Sequence, residues 1–172
     1  MGFQNDVRTL SLDVGHLRNV QTDDRLTLLG RIRDLDTPAI AFTVKNLERY
    51  SGIRAGQVMP YKDVVLNMGG HFSRSSHSFV CPIHGLYTFS VTLVSEHNKR
   101  DTVHLQMGGR TICEIAAYDH TDDSSYSNGS GTVSMVLECP QGGVFRVVNP
   151  ISGNFLDHFN EHVFSGFLLK KL

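Results

Sequence analysis

The chain has 172 residues, of which 40% are hydrophobic, and its 16 basic residues nearly balance its 17 acidic residues. That length is enough for one core of ordinary domain size and an additional segment. The near-neutral charge provides no basic surface for nucleic acid, and no run approaches the roughly 18 apolar residues that a membrane span needs. We therefore expect neither a nucleic-acid partner nor a membrane span.

The first predicted element is an N-terminal helical segment, residues 1–37, which we interpret as a short coiled coil. Its apolar residues follow a spacing of three and four, as in the seam of paired helices. The residues that set this spacing are Val7, Leu10, Val14 and Leu17. Continuing the spacing reaches Gln21 and Asp24, so we expect a break near residues 21–25. A single amphipathic helix, or a helix with a frayed tail, is the alternative.

The rest of the chain, residues 38–172, is typical of an all-β domain. Short runs rich in β-branched and aromatic residues alternate with turn residues, which is the pattern of a sandwich. The predicted strands cover residues 39–44, 64–67, 78–81, 85–94, 102–107, 110–117, 131–137, 144–148 and 163–169. Hairpin turns are predicted at Gly108-Gly109 and Gln141-Gly142-Gly143. Alternation along the fourth of these strands predicts that Tyr87 and Phe89 share one face.

A spaced aromatic pattern runs through the middle of this domain. Its positions are Tyr61, Asn67, Phe72, Phe79, Gly85, Tyr87 and Phe89. The pattern resembles the signature of the C1q globular-head family, which is kin to the tumour-necrosis-factor-like jelly rolls. It departs from that signature at Tyr61, where Phe is usual, and at Val91, where an aromatic is usual. Residues 41–44 and 164–169 are similar to the family's opening and closing strands. No collagen-like Gly-x-y repeat occurs in these 172 residues, so the resemblance is to a stand-alone C1q domain.

The resemblance implies a ten-stranded antiparallel jelly-roll sandwich of the C1q/TNF-like type. It also assigns a core signature of Tyr61, Asn67, Phe72, Phe79, Gly85, Tyr87, Phe89, Phe164, Gly166 and Phe167. The family is extracellular and forms trimers, so we expect a secreted homotrimer. The polar residues 1–6 lack the apolar block of a secretory signal, and we expect that a signal was removed.

The family consists of binding proteins, and the resemblance implies a lectin-like pattern-recognition protein of innate immunity. We expect it to bind microbial surface glycans or lipopolysaccharide through the avidity of repeated loops. The alternatives are a C1q-like signalling ligand for a cell-surface receptor, and an extracellular metal-binding or matrix protein. The sequence has no Gly-x-Ser-x-Gly nucleophile elbow, so we expect no enzyme activity.

The longest polar insertion, residues 118–128, is the predicted binding loop. We assign ligand contact there to Tyr118, Asp119, Asp122, Asp123 and Tyr126. Clustered carboxylates suit calcium, which takes about six to eight oxygen ligands. The resemblance implies a calcium site in the matching loop, here at Asp119 and Asp123, and no other cofactor is expected. The alternative is a solvated acidic loop without an ion. Asn128 begins an N-glycosylation sequon, Asn128-Gly129-Ser130.

Three cysteines give an odd count, which in a secreted protein predicts one disulfide and one thiol that is free or bonded between chains. The pairing among Cys81, Cys113 and Cys139 is open. Cys113 lies in an apolar run that predicts a small buried thiol. Nine histidines are many for this length, and we expect them at the surface. Weak metal affinity or a pH-sensitive trimer interface is the sharper hypothesis for them.

Overall fold

The computed structural model describes residues 2–35, 38–46, 53–95, 100–118, 129–150 and 162–172. The chain divides into two compact units, Met1–Pro38 and Ala39–Leu172. The first unit contains helix α1 (Gly2–Leu35), which has 34 residues and is therefore about 50 Å long. Within the described ranges, no helix carries the long apolar stretch that crossing a bilayer requires.

Helix α1 is continuous, so the predicted break near residues 21–25 is wrong. The hydroxyl of Thr22 donates a hydrogen bond to the carbonyl oxygen of Arg18 at 2.8 Å, as the Thr27 hydroxyl does to that of Asp23 at 2.9 Å. Polar residues in the apolar spacing change which face of a helix can pack. They leave its backbone hydrogen bonds intact, because those bonds do not depend on side-chain polarity.

The second unit consists of two five-stranded antiparallel sheets, which confirms the predicted all-β jelly-roll sandwich of ten strands. The strands are β1 (Ala41–Lys45), β2 (Asp63–Met68), β3 (Phe72–Ser73), β4 (Ser78–Val80), β5 (Gly85–Ser95), β6 (Arg100–Met107), β7 (Arg110–Tyr118), β8 (Gly129–Cys139), β9 (Val144–Val148) and β10 (Val163–Lys171). Sheet I has the order β2-β1-β10-β5-β8, and sheet II has the order β3-β4-β9-β6-β7. Only β3 was not predicted, because two residues are too few to show an alternation.

The core lies between the two sheets and is built from alternate residues of each strand. In β5 the buried positions alternate along all 11 residues, so Tyr87 and Phe89 both face inwards as predicted. The Phe89 ring on sheet I stacks on Phe145 of sheet II with 3.9 Å between ring centroids. Phe42 of sheet I stacks in the same way on Phe79 of sheet II at 4.6 Å. Aromatic rings therefore join the sheets across the sandwich.

The structure gives distinct roles to the members of the core signature. Its buried aromatic residues are Tyr61, Phe72, Phe79, Tyr87, Phe89 and Phe164. The Asn67 side chain donates to the Phe72 carbonyl oxygen and accepts from the Phe72 N–H, both at 3.0 Å, so it holds the start of β3. At Gly85 a Cβ would lie 2.6 Å from the Lys170 carbonyl oxygen, and at Gly166 a Cβ would lie 2.8 Å from the Phe89 ring. Both positions need glycine because atoms of the neighbouring strands lie too close to leave room for a Cβ.

Phe167 is a correction to the core signature, because 47% of its surface is exposed. Residues that alternate along a strand face opposite sides of the sheet. Phe164 and Gly166 face the core, and Phe167 is therefore turned to the outer face of sheet I. There it lies between Ala41 of β1 and Thr88 of β5.

One disulfide joins the two sheets, from Cys81 just after β4 to Cys139 at the end of β8. Both cysteines are fully buried, and 58 residues separate them in sequence. Closing a loop of that length stabilises a fold by about 4 kcal/mol in the chain-entropy model. Cys113 is the free thiol; it is half-buried, and burial raises the pKa of its thiol. The expected pattern of one disulfide and one remaining thiol is confirmed.

Candidate functional site

The candidate site is one end of the sandwich, which we call the loop end. There β1, β5 and β7 end, and β6, β8 and β10 begin. The strand registers bring these ends together, because Lys45 lies opposite Val163 and Ser95 lies opposite Gly129. The predicted binding loop leaves β7 at this end and enters β8 at this end.

Most of the predicted site residues lie outside the described residues. They are Asp119, Asp122, Asp123, Tyr126 and Asn128. The ligand contacts, the calcium site at Asp119 and Asp123, and the glycan on Asn128 therefore remain predictions. Tyr118, the last residue of β7, is described, and 57% of its surface is exposed.

Sequence reasoning missed Arg100, the residue directly opposite Tyr118. Arg100 begins β6 and pairs with Tyr118 in the register of the β6–β7 hairpin. Directly opposed residues of an antiparallel pair project on the same face, with Cβ atoms about 4.5–5.5 Å apart. Arg100 and Tyr118 are both exposed. The loop end therefore presents a cation beside an aromatic ring.

Beneath the loop end the core becomes polar. Its buried polar residues there include Asn46, Ser95, Asp101, Asn149 and His162. The Val94 N–H donates to His162 Nδ1 at 3.0 Å, and the Asn46 N–H donates to the His162 carbonyl oxygen at 3.2 Å. Because Nδ1 accepts, the remaining proton of the neutral ring is on Nε2. Within the described part of the chain, His162 Nε2 and Asn46 Nδ2 are buried donors without a hydrogen-bond partner.

His162 corrects the expectation that the histidines lie at the surface. It follows the inward alternation of β10 and is 2% exposed. Burial lowers its pKa to about 4, so the ring is neutral at neutral pH. His158, four residues earlier in the sequence, lies outside the described residues.

The described histidines and acids do not converge on a metal site. Among the residues that the structure places, no group of three or more His, Cys, Asp or Glu side chains could hold an ion. His84 Nε2 lies 2.8 Å from Glu138 Oε1, and His104 Nε2 lies 3.4 Å from Glu114 Oε2. Each of these pairs offers two ligands, whereas zinc, the metal that histidine and carboxylate ligands commonly hold, takes three or four protein ligands.

A second surface of interest is the outer face of sheet I. Its exposed apolar residues are Leu66, Met68, Val136, Phe167 and Leu169. Two rows cross all five strands: Met68, Ala41, Phe167, Thr88 and Val136, and beside it Leu66, Thr43, Ser165, Ser90 and Ser134. Neither row contains a charged residue. The Ser134 hydroxyl donates to the Ser90 hydroxyl at 2.9 Å, so part of the polar row is satisfied within the sheet.

The two sheets and their order define the second unit as a jelly-roll domain. The family model of the C1q domain matches residues 41–169, and the chain therefore belongs to the C1q domain family. It is 30% identical over 117 residues to one of the chains of the complement C1q subcomponent of Mus musculus, an alignment that covers 67% of this chain and 44% of that protein. The chain thus spans less than half the length of this relative.

A second relative belongs to the same family. The chain is 28% identical over 133 residues to "Complement C1q tumor necrosis factor-related protein 2" of Mus musculus, which covers 75% of this chain and 42% of that protein. Here too the chain spans less than half of the relative's length.

Solved structures show the same fold. The globular domain of zebrafish complement 1qA superimposes with a TM-score of 0.62 at 18% identity, covering 79% of this chain and all of that one. At such an identity the likeness concerns the fold alone.

Proposed function

We propose that this protein is a secreted, homotrimeric, lectin-like recognition protein of innate immunity. It binds microbial surface glycans or lipopolysaccharide, and binding rather than catalysis is its activity. The observation that carries this proposal is the C1q domain match over residues 41–169, together with a relative named as a complement component. The buried Cys81–Cys139 disulfide supports secretion, because such bonds persist in oxidising compartments.

The outer face of sheet I is the surface through which three copies associate in this proposal. Large exposed apolar patches on a soluble domain mark interaction sites. Phe167 lies in the middle strand of the five and Val136 in an edge strand, so the apolar row extends across the sheet. The uncharged rows can be buried against other copies without the cost of desolvating ions. A closed threefold arrangement then turns the three loop ends in one direction.

Helix α1 provides a second means of association. Its exposed apolar residues include Leu12, Val14, Leu17, Val20, Leu26, Leu28 and Leu29. Because α1 is continuous, residues 14, 17, 21, 24 and 28 follow alternating steps of three and four along one stripe. We propose that this stripe packs against its copies as a coiled coil, with Gln21 and Asp24 as polar positions in the seam.

The loop end is the ligand-binding end in this proposal. Three copies of one loop convert weak single contacts into avidity for repeated ligands. The proposed ligand contacts are Tyr118, Asp119, Asp122, Asp123 and Tyr126, and calcium, when it is present, is held by Asp119 and Asp123. No other cofactor is required.

The test is a binding screen of the purified protein on glycans and bacterial envelope components, in calcium and in a chelator. We expect binding that the chelator weakens, because calcium would bridge the loop carboxylates and the ligand hydroxyls. The Asp119→Ala variant should lose the calcium-dependent part of the binding. The matched control is Asp13→Ala, which removes an exposed acidic residue from helix α1 and should leave binding unchanged.

The outcomes separate the parts of the proposal. Binding that survives the chelator and Asp119→Ala would contradict the calcium site while keeping the recognition function. A screen without any binding would contradict that function and favour a signalling ligand for a protein receptor.

A further inference from the structure

A shallow hollow lies at the loop end on the outer face of sheet II. Its volume is about 370 Å³, and the described residues that line it are Arg100, Ala116 and Tyr118. That volume is within the range of small-molecule sites, roughly 300–1,000 Å³. The hollow arises because Ala116, two residues before Tyr118 on the same face, has only a methyl group. The two larger side chains therefore rise beside it.

The positions of these residues are fixed by the sheets. Arg100 and Tyr118 are direct partners in the β6–β7 register, as Thr102 and Ala116 are. Strand β8 of sheet I also packs against this part of β7. A Cβ at Gly131 would overlap the Ala116 carbonyl oxygen, so the two backbones are in direct contact there. Sites on such packed strands hold their geometry better than sites on loops.

Among the described residues that line the hollow, the charged one is Arg100, and its guanidinium favours an anion. Arg100 is exposed, and no carboxylate among the described residues pairs with it. Asp101, its neighbour in sequence, is directed to the core and buried. Glu114 shares the outer face of β7, but it lies beside His104 at 3.4 Å. A guanidinium in this position can bind a carboxylate or a phosphate with two parallel hydrogen bonds.

The aromatic ring adds a preference for a sugar. Tyr118 has 57% of its surface exposed, and tyrosine is enriched at binding interfaces because its ring is apolar and its tip is polar. One face of a pyranose ring presents mainly C–H groups, and an aromatic ring can cover that face while the hydroxyls stay in water. An aromatic ring beside a guanidinium thus matches a sugar that carries a negative group.

We propose that the hollow formed by Arg100, Ala116 and Tyr118 binds acidic sugars, meaning sugars that carry a carboxylate or a phosphate. Arg100 binds the anionic group, and the Tyr118 ring packs on the sugar. This inference rests on the proposed function and specifies it: the preferred envelope glycans are anionic. The two sources of negative charge, uronic acids and sugar phosphates, are distinguished by the test.

The test is a calorimetric titration of the full chain with glucose, glucuronate and glucose 6-phosphate. We expect one or both charged sugars to bind at least about tenfold more tightly than glucose, because charge-assisted hydrogen bonds are the stronger ones. Arg100→Ala should abolish that preference, and Arg100→Lys should restore part of it. Tyr118→Ala should weaken all three sugars. The matched control is Arg110→Ala, which removes an exposed arginine at the opposite end of β7 and should change nothing.

Three results would overturn the inference: equal binding of glucose and the charged sugars, no binding of any of them, or the same loss in Arg100→Ala and Arg110→Ala. Thermal unfolding of each variant, which should match the parent because both arginines are exposed, excludes misfolding as the cause. The inference and the proposed function fail separately. If the envelope screen is positive and Arg100→Ala leaves it unchanged, only the role of the hollow is contradicted. If acidic sugars bind but the screen shows no binding, only the proposed function is contradicted.

Discussion

Replacing Phe89 with alanine should lower the free energy of unfolding by about 3–5 kcal/mol. The Phe89 ring is fully buried in the centre of β5. It stacks on Phe145 at 3.9 Å and lies within 6.4 Å of the Phe42, Phe79 and Phe164 rings, measured between centroids. Removing it would leave a cavity that these rings cannot fill, because they belong to four different strands. Urea unfolding followed by circular dichroism measures the change.

The control for this substitution is Tyr118→Ala, which removes an aromatic ring from an exposed position. We expect it to change the unfolding free energy by less than about 0.5 kcal/mol, as surface substitutions do. Equal losses in the two variants, or full stability of Phe89→Ala, would contradict the register of β5 and the position of the core.

Lowering the pH from 6.5 to 4 should reduce the stability of the fold by about 3 kcal/mol through His162 alone. Burial lowers the pKa of His162 to about 4, while an unfolded histidine titrates near 6.5. Between these values the unfolded chain binds a proton that the folded chain does not. The contribution of His162 is therefore complete above pH 6.5, is lost progressively as the pH falls to 4, and then levels off.

The experiment compares unfolding free energies across that pH range for the parent and for His162→Asn. Asparagine can keep an oxygen acceptor for the Val94 N–H but does not titrate, so the difference between the two curves isolates the histidine from the carboxylates. His84→Asn is the matched control, because that histidine is exposed and pairs with Glu138. Its replacement should leave the fall in unfolding free energy between pH 6.5 and 4 unchanged. Parallel curves for the parent and His162→Asn would contradict a buried neutral ring.

The strands and the aromatic core could be predicted from the sequence because they depend on local alternation and on spaced aromatic residues. The position of Arg100, which lines the proposed hollow, could not be predicted in this way. Counting back from the Gly108-Gly109 turn pairs Tyr118 with Lys99, but the register shifts by one residue between Leu105 and Gln106. That irregularity places Arg100 opposite Tyr118 instead. A bulge of this kind leaves no reliable mark in a single sequence.

The positions of Phe167 and His162 also differ from the sequence-based expectations, and both depend on which residues of β10 face the core. The motif that contains Phe167 predicts a closing strand but does not say which of its residues face the core. Because Phe164 faces the core, alternation along the strand turns Phe167 outwards. His162 shares the inward parity of Phe164 at the edge of the core. Histidine is mostly exposed or half-buried in proteins, so composition alone predicts a surface position. The disulfide partner of Cys139 could not be chosen either, because pairing depends on which strand ends meet.

In the proposed function, avidity at the loop end depends on the association of three copies through the outer face of sheet I. Sedimentation equilibrium of the parent chain and of Phe167→Glu tests this association, with Val80→Glu as a control on an outer position of similar exposure, 37% against 47%. We predict that the parent has three times the chain mass of 19.1 kDa and that Val80→Glu has the same mass. Phe167→Glu should shift towards smaller species, because its trimer would bury three carboxylates close together. A parent that sediments as a monomer, or a Phe167→Glu trimer as stable as the parent, would contradict the proposed association.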